Sequence, residues 1–353
     1  MWMLLTILAA VAGGLLLQRA RVPGGMLVGA IIAVAALNFF TGEATIFIQT
    51  RVLAQAMTGA YIGCMITREE LKRMPGIIKP YLVVMVSLLV LCLGMAAFIY
   101  WVTDYDLLTC LFCATPGGMT DTPLIAMDMG ADASVVVVMQ FIRMMFGLGC
   151  LPTIILMSDR LIEPEKAKEM EARAEQLHRG PAQKVKPTLR AFLPVFVVAL
   201  CAGILGKLSG IPAGTLSAAL IASAALKIFG KGSPMPMWLR RVAQVISGCC
   251  IGCSVDHDQL MQMSQLVLPA AALCLGYAVF CVGIGLLLAK LFHMNLREAM
   301  LCMSPAGATE MALVAADLGV ESPNLVVHQI CRLMGVLIFF PHIFRFVVYL
   351  FGA

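Results

Sequence analysis

Polar residues recur at fixed places inside the long apolar runs of this chain, and the whole pattern occurs twice. A shift of 189 residues places Pro23 on Pro212, Gln55 on Gln244, Gly59 on Gly248 and Gly63 on Gly252. The same shift places Cys113-Ala-Thr-Pro-Gly-Gly-Met-Thr-Asp121 on Cys302-Met-Ser-Pro-Ala-Gly-Ala-Thr-Glu310. Asp128 then meets Asp317, Gln140 meets Gln329, Arg143 meets Arg332 and Pro152 meets Pro341, with no insertion or deletion. Duplicated membrane units of this kind are a hallmark of secondary transporters, whose substrate site lies where the copies meet.

In the first copy the apolar runs predict spans over 2–18, 23–41, 46–66 and 80–102, an interrupted segment over 107–130 and a final span over 134–157. In the second copy they predict 191–206, 212–230, 237–255 and 265–289, then an interrupted segment 296–319 and a final span 323–349. Apolar stretches of 18 or more residues cross a hydrocarbon core of about 30 Å at about 1.5 Å per residue. Residues 2–17 read as a retained span and not as a leader, because Arg19 and Arg21 follow the apolar run and no basic residue precedes it. Residues 159–190 hold 14 charged side chains with Pro164, Pro181 and Pro187, which predicts a solvated linker with a helical stretch near 164–178. The organisation is therefore repeat 1 (1–158), charged linker (159–190) and repeat 2 (191–353).

The interrupted segments decide the topology. Counted as full crossings, they give six spans per copy and two copies of the same orientation. Counted as re-entrant hairpins, they give five spans and two inverted copies. The positive-inside rule favours the second. It gathers Arg19, Arg21, Arg68, Lys72, Arg73, Lys79, the linker's basic residues, Lys227, Lys231, Arg240, Arg241, Lys290 and Arg297 on the inner side. Glu43, Asp104, Asp106, Asp256, His257 and Asp258 fall outside, with Lys207 as the basic exception. The arms flanking Pro116-Gly117-Gly118, if helical, reach about 14 Å, half-way into the core. The expected fold is an all-α polytopic membrane protein with two inverted repeats of five transmembrane helices plus one re-entrant hairpin each. The linker would be cytoplasmic, both termini external, and the location a bacterial inner membrane.

Composition fits that class. Hydrophobic residues make up 61% and charged residues 13%, against about 25% charged residues in soluble domains. The net charge of +5 follows from loop asymmetry and points to no nucleic acid partner. Thirteen cysteines lie mostly in apolar runs and five histidines are scattered, so neither disulfides, a metal centre nor a cofactor is indicated. No enzymatic activity is expected.

The hairpin tips carry the candidate chemistry. Thr115, Pro116, Gly117, Gly118 and Thr120 correspond to Ser304, Pro305, Ala306, Gly307 and Thr309. Glycine permits close backbone approach, and free helix ends near the midplane would present hydroxyls, amides and carbonyls to a small polar solute. Tight helix packing alone would also use small residues. Asp121 and Glu310 follow the tips and are candidate ion-coupling carboxylates, since acids within a membrane are costly and usually functional. Gln140 with Arg143, and Gln329 with Arg332, share a helix face, and each buried arginine calls for an acid such as Asp128, Asp317, Asp121 or Glu310. Gln55 and Gln244 lead a Q-xxx-G-xxx-G face, expected to form a bed for the hairpin while the glutamines reach the cavity.

On the P-[GA]-G-x-x-[DE] tips at 116–121 and 305–310, the D-x-G at 128–130 and 317–319 and the Q-x-x-R at 140–143 and 329–332, the chain resembles the membrane-bound AbrB family. That family is also catalogued as an AbrB duplication family and under an ammonia monooxygenase label. Resemblance to it implies an inner-membrane protein grouped with cation:proton antiporter and anion transporter folds, with a loose label as a regulator of gene expression. Ala306 departs from the middle glycine of the tip. The resulting expectation is ion-coupled, elevator-like alternating access of a small polar solute, an organic anion first, driven by H⁺ or Na⁺, in a homodimer within the lipid bilayer. Cation–proton exchange, or a membrane sensor acting on gene expression, stand as alternatives.

Overall fold

The computed structural model describes residues 2–20, 25–47, 49–65, 68–162, 189–210, 213–229, 237–253, 263–305, 314–315, 318, 320 and 322–351. The predicted helical stretch at 164–178 lies outside them, as do Asp256, His257 and Asp258. Repeat 1 comprises α1 (Trp2–Arg19), α2 (Gly25–Thr41), α3 (Gln49–Gly63), α4 (Arg68–Val102), α5 (Leu107–Ala114), α6 (Asp121–Met129), α7 (Ala133–Gly149) and α8 (Leu151–Ile162). Repeat 2 comprises α9 (Leu189–Leu208), α10 (Gly214–Ile228), α11 (Met237–Gly252), α12 (Val267–Phe292), α13 (Leu296–Met303) and α14 (Pro323–Phe351).

Four described stretches are long and apolar enough to cross a bilayer: α1, Pro75–Val102 of α4, α12, and Asn324–Phe351 of α14. The pair α7 and α8, bent by 42°, makes a fifth if counted as one span. Their outer faces leave Leu16, Val86, Leu275 and Phe346 exposed, apolar surface that suits lipid and not water. The architecture is that of a multi-pass membrane protein built only from helices among the described residues.

Buried side chains divide into packing groups. Ala56, Ala60, Val195, Ala199, Ala219 and Ala243 join α3 to α9, α10 and α11, and Ala10, Met26, Val34 and Cys249 join α1, α2 and α11. A larger core runs from Val84 and Leu88 of α4 through α5, α7, α12 and α13 to Phe340 and Phe344 of α14.

Three expectations need correction. The fourth span of repeat 1 starts at Arg68 and continues through Pro75 and Pro80. Packing outweighs the lost hydrogen bonds there: Ile77 buries against Val327 and Cys331 of α14, and Tyr81 donates to the Cys331 carbonyl at 3.3 Å. Asp159 is no solvated linker residue. It lies in the last turn of α8, buried against Arg297 of α13, with 2.5 Å between carboxylate and guanidinium. The glycine faces carry the other repeat's second helix and not the hairpin. A Cβ on Gly59 or Gly63 would strike the Leu216 and Leu220 carbonyls of α10, and one on Gly248 or Gly252 would meet Ala30 and Val34 of α2. Advancing residue numbers match in both crossings, so α3 runs parallel to α10 and α11 runs parallel to α2.

Candidate functional site

The first helix break begins where α5 ends. Asp106 caps its start, accepting from the Thr109 amide at 2.9 Å. At the other end Thr115 turns to extended backbone (φ −66, ψ 131), and Pro116 cannot supply an amide to continue. The chain then doubles back so tightly that a Cβ on Gly117 would overlap Thr122 Oγ1, and one on Gly118 the Asp121 carboxylate. Helix α6 closes at Gly130 (φ 92), with Ala131 N–H donating to the Ala126 carbonyl at 2.9 Å.

Repeat 2 reproduces each described part of this geometry. Asn295 caps α13 at the Arg297 amide, 3.0 Å away, and Ser304 is extended (φ −60, ψ 132). Val320 N–H donates to the Ala315 carbonyl at 2.8 Å, the counterpart of the Ala131 bond. Pro305 is buried at the break. Ala306, Gly307, Thr309, Glu310 and Asp317 lie outside the described residues.

A broken helix leaves its last carbonyls without partners, and the Q-x-x-R side chains supply them. Gln140 Nε2 donates to the Phe112 and Thr115 carbonyls, both at 3.0 Å. Arg143 donates to Thr115 at 3.0 Å and Gly117 at 2.5 Å. In repeat 2, Gln329 reaches the Leu301 carbonyl at 2.5 Å, and Arg332 reaches those of Cys302, at 3.1 Å, and Ser304. The expected carboxylate for Arg143 is therefore replaced by backbone: among the described residues it makes no ion pair. Cations at a helix C-terminus are favoured by the macrodipole as well. Asp128 instead pairs with Arg51 at 2.8 Å and accepts from Gln55 at 2.6 Å. Gln55 also donates to the Leu124 carbonyl at 3.2 Å, so it does reach the second arm. Gln244, its counterpart, is half-buried.

The two breaks converge on Tyr277 of α12. Its hydroxyl donates to the Ala114 carbonyl at 3.3 Å, and the charges of Arg143 and Arg332 both act on that hydroxyl. Around them Gln140 Oε1, Arg143 Nε, Thr122 Oγ1, Ser304 Oγ and Gln329 Oε1 are buried without hydrogen-bond partners. Buried polar atoms are normally satisfied, so these five leave hydrogen-bonding capacity unmet at the breaks. Asp121, 5% exposed, begins α6 beside them and makes no ion pair among the described residues. Thr115 and Thr120 are buried alongside. His328 stacks edge-on to Tyr81 at 5.8 Å, a packing role.

Sequence reasoning missed Arg51, Tyr277 and the Asp159–Arg297 pair. Arg51 had a signal, since it precedes Gln55 by one turn on the same face of α3. Tyr277 had none, being one aromatic in an apolar run.

A family model described as the transition state regulatory protein AbrB matches residues 1–158 and 162–348. A protein of Escherichia coli (strain K12), named as a candidate regulator, AbrB, is 25% identical over 341 residues, covering 93% of this chain and 91% of the relative. The uncharacterized protein YhjN of Bacillus subtilis (strain 168) is 22% identical over 278 residues, covering 76% and 71%.

Proposed function

The chain belongs to the AbrB family, and on that premise we propose that it is a secondary active transporter of a small organic anion. The observation that carries this reading is Arg143, buried at a helix break and hydrogen-bonded to backbone carbonyls with no carboxylate counterion among the described residues. A guanidinium so placed within a bilayer, held by neutral carbonyls alone, keeps a positive charge that an anionic ligand would neutralise. Arg332 stands at the matching break of repeat 2, so an anion between the breaks would meet both.

Inversion of the two repeats is part of the proposal. Parallel crossings of α3 with α10 and of α11 with α2 support it, because neighbouring second and third spans of one copy must run antiparallel. The hairpins would then enter from opposite faces, and the α4–α8 and α12–α14 body would move against α1–α3 and α9–α11. Asp121, buried and without an ion pair among the described residues, would carry the coupling H⁺ or Na⁺, with Glu310 as its counterpart.

The test is uptake of succinate into liposomes holding the purified chain, with and without an imposed proton or sodium gradient. Gradient-driven uptake that disappears in Arg143→Gln and Asp121→Asn supports the reading. Cation–proton exchange, favoured by Asp121, would instead show gradient-coupled cation flux indifferent to Arg143→Gln. The name of the Escherichia coli relative favours a regulatory role, under which substitutions at the breaks would leave the cellular response intact.

A further inference from the structure

A cavity of about 440 Å³ opens where α5 and the end of α6 face α9, α10 and α14, lined by Leu108, Asp128, Lys207, Thr215, Arg345 and Val348 among others. Its charge balance is one-sided. The Asp128 carboxylate is already offset by Arg51 at 2.8 Å and Gln55 at 2.6 Å. Lys207 and Arg345 are exposed and make no ion pair among the described residues. Two cations therefore remain, beside the first amides of α10, a helix start that no side chain caps and that adds partial positive charge.

The duplication shows that this charge is not part of the repeated scaffold. A shift of 189 residues places Lys207 on Gln18 and Arg345 on Leu156, so the corresponding positions of repeat 1 are uncharged. Lys207 is also the basic residue that the positive-inside pattern leaves on the outer side, so orientation bias does not account for it. A cation pair present at one end only, bordering a cavity at the edge of the moving body, implies a task performed from that side.

Resting on the transporter reading, we propose that this cavity is an access vestibule that attracts and holds a small oxyanion, carboxylate or phosphate. Lys207 and Arg345 select for negative charge before the solute reaches the helix breaks. The vestibule concentrates anions by its local potential, and the breaks bind them.

The test uses the full chain in phosphatidylcholine vesicles, with the exposed Cys150 and Cys201 changed to serine and Val348→Cys as the reporter. Reaction rates with a sulfonate-bearing and an ammonium-bearing methanethiosulfonate are compared. The sulfonate should be favoured roughly ten-fold over its behaviour with a free thiol, as expected of a focusing cleft. The double variant Lys207→Gln, Arg345→Gln should abolish that preference, and Lys207→Arg, Arg345→Lys should keep it. At constant ionic strength, inorganic phosphate or succinate should slow the sulfonate reaction only while the charges are present. An unchanged preference in the glutamine variant overturns the proposal. So does protection by phosphatidylglycerol vesicles but by neither solute, which would assign the pair to lipid headgroups. None of this requires transport. Charge-selective labelling without uptake would sink the transporter reading alone, and uptake without charge selection would sink the vestibule alone.

Discussion

At one end of the molecule Asp159 and Arg297 form an ion pair with the side chains 3% and 0% exposed. At the corresponding end the same two repeat positions hold Val348 and Leu108, and these border the 440 Å³ cavity. The helices differ in step with the side chains. In repeat 1 the final span is broken, α8 bending 42° from α7, whereas α14 runs unbroken through Pro341. One sequence unit, used twice, has thus been fastened at one end and left hollow at the other. On the transporter reading proposed above, such an inequality would let one end open while the other stays shut.

The largest effect should come from breaking the pair. Asp159→Ala removes the carboxylate but leaves the Arg297 charge buried beside the Leu318 carbonyl, 2.8 Å away. Loss of one partner from a buried pair costs about 3–5 kcal/mol. Thermal unfolding in detergent should show it, together with slower labelling of Val348→Cys as the fastened end opens and the hollow end closes. An unchanged melting curve and labelling rate would remove the distinction between the ends.

That pair was the part least legible in the sequence. Asp159 reads as the first residue of a charged linker and Arg297 as one more inner-side cation, and only tertiary packing joins them. The breaks were legible for the opposite reason. Proline, glycine and hydroxyl residues stand out in an apolar run, and the duplication supplies the same signal twice, so Thr115 and Ser304 reach their common backbone geometry as the spacing suggests. Gln140 and Arg143 were legible as a polar face but not in their partners. A rule that buried arginine seeks acid overlooks the carbonyls a broken helix leaves open. The glycine faces announced a close helix crossing without saying which helix, because glycine fixes distance and not identity. Register across the two repeats decided that α10 and α2 lie there.

A smaller change in stability, but a sharper one for the comparison, comes from making the ends alike. Asp159→Val with Arg297→Leu installs the residues of the hollow end. Replacing a buried ion pair by apolar side chains is commonly neutral or stabilising by about 1–4 kcal/mol, so the double variant should melt no lower than wild type. Its labelling at Val348→Cys should nevertheless fall toward that of Asp159→Ala, since nothing then favours closure of one end over the other. Wild-type labelling in this variant would mean that the pair contributes stability without biasing the conformation.

The smallest effect concerns the bend itself. Pro152 and Pro341 occupy equivalent positions, so proline alone does not explain why one span bends and the other does not. The residues before it differ: Gly147 and Gly149 in repeat 1, Val336 and Ile338 in repeat 2. Glycine beside proline is a recognised origin of kinks. Nothing lies within 4 Å of a Cβ at Gly149, so Gly149→Ala meets no steric barrier and should gain about 0.5–1 kcal/mol of helix propensity. A straighter α7–α8 would, however, draw Asp159 away from Arg297. In wild type the two terms oppose and the net change should be small. In the Asp159→Ala background there is no pair to strain, so the full gain should appear. A double-mutant cycle on melting should therefore give a coupling of at least about 0.5 kcal/mol between residues 149 and 159. Additive effects would mean that the bend and the ion pair arose independently and that the fastened end is not one device.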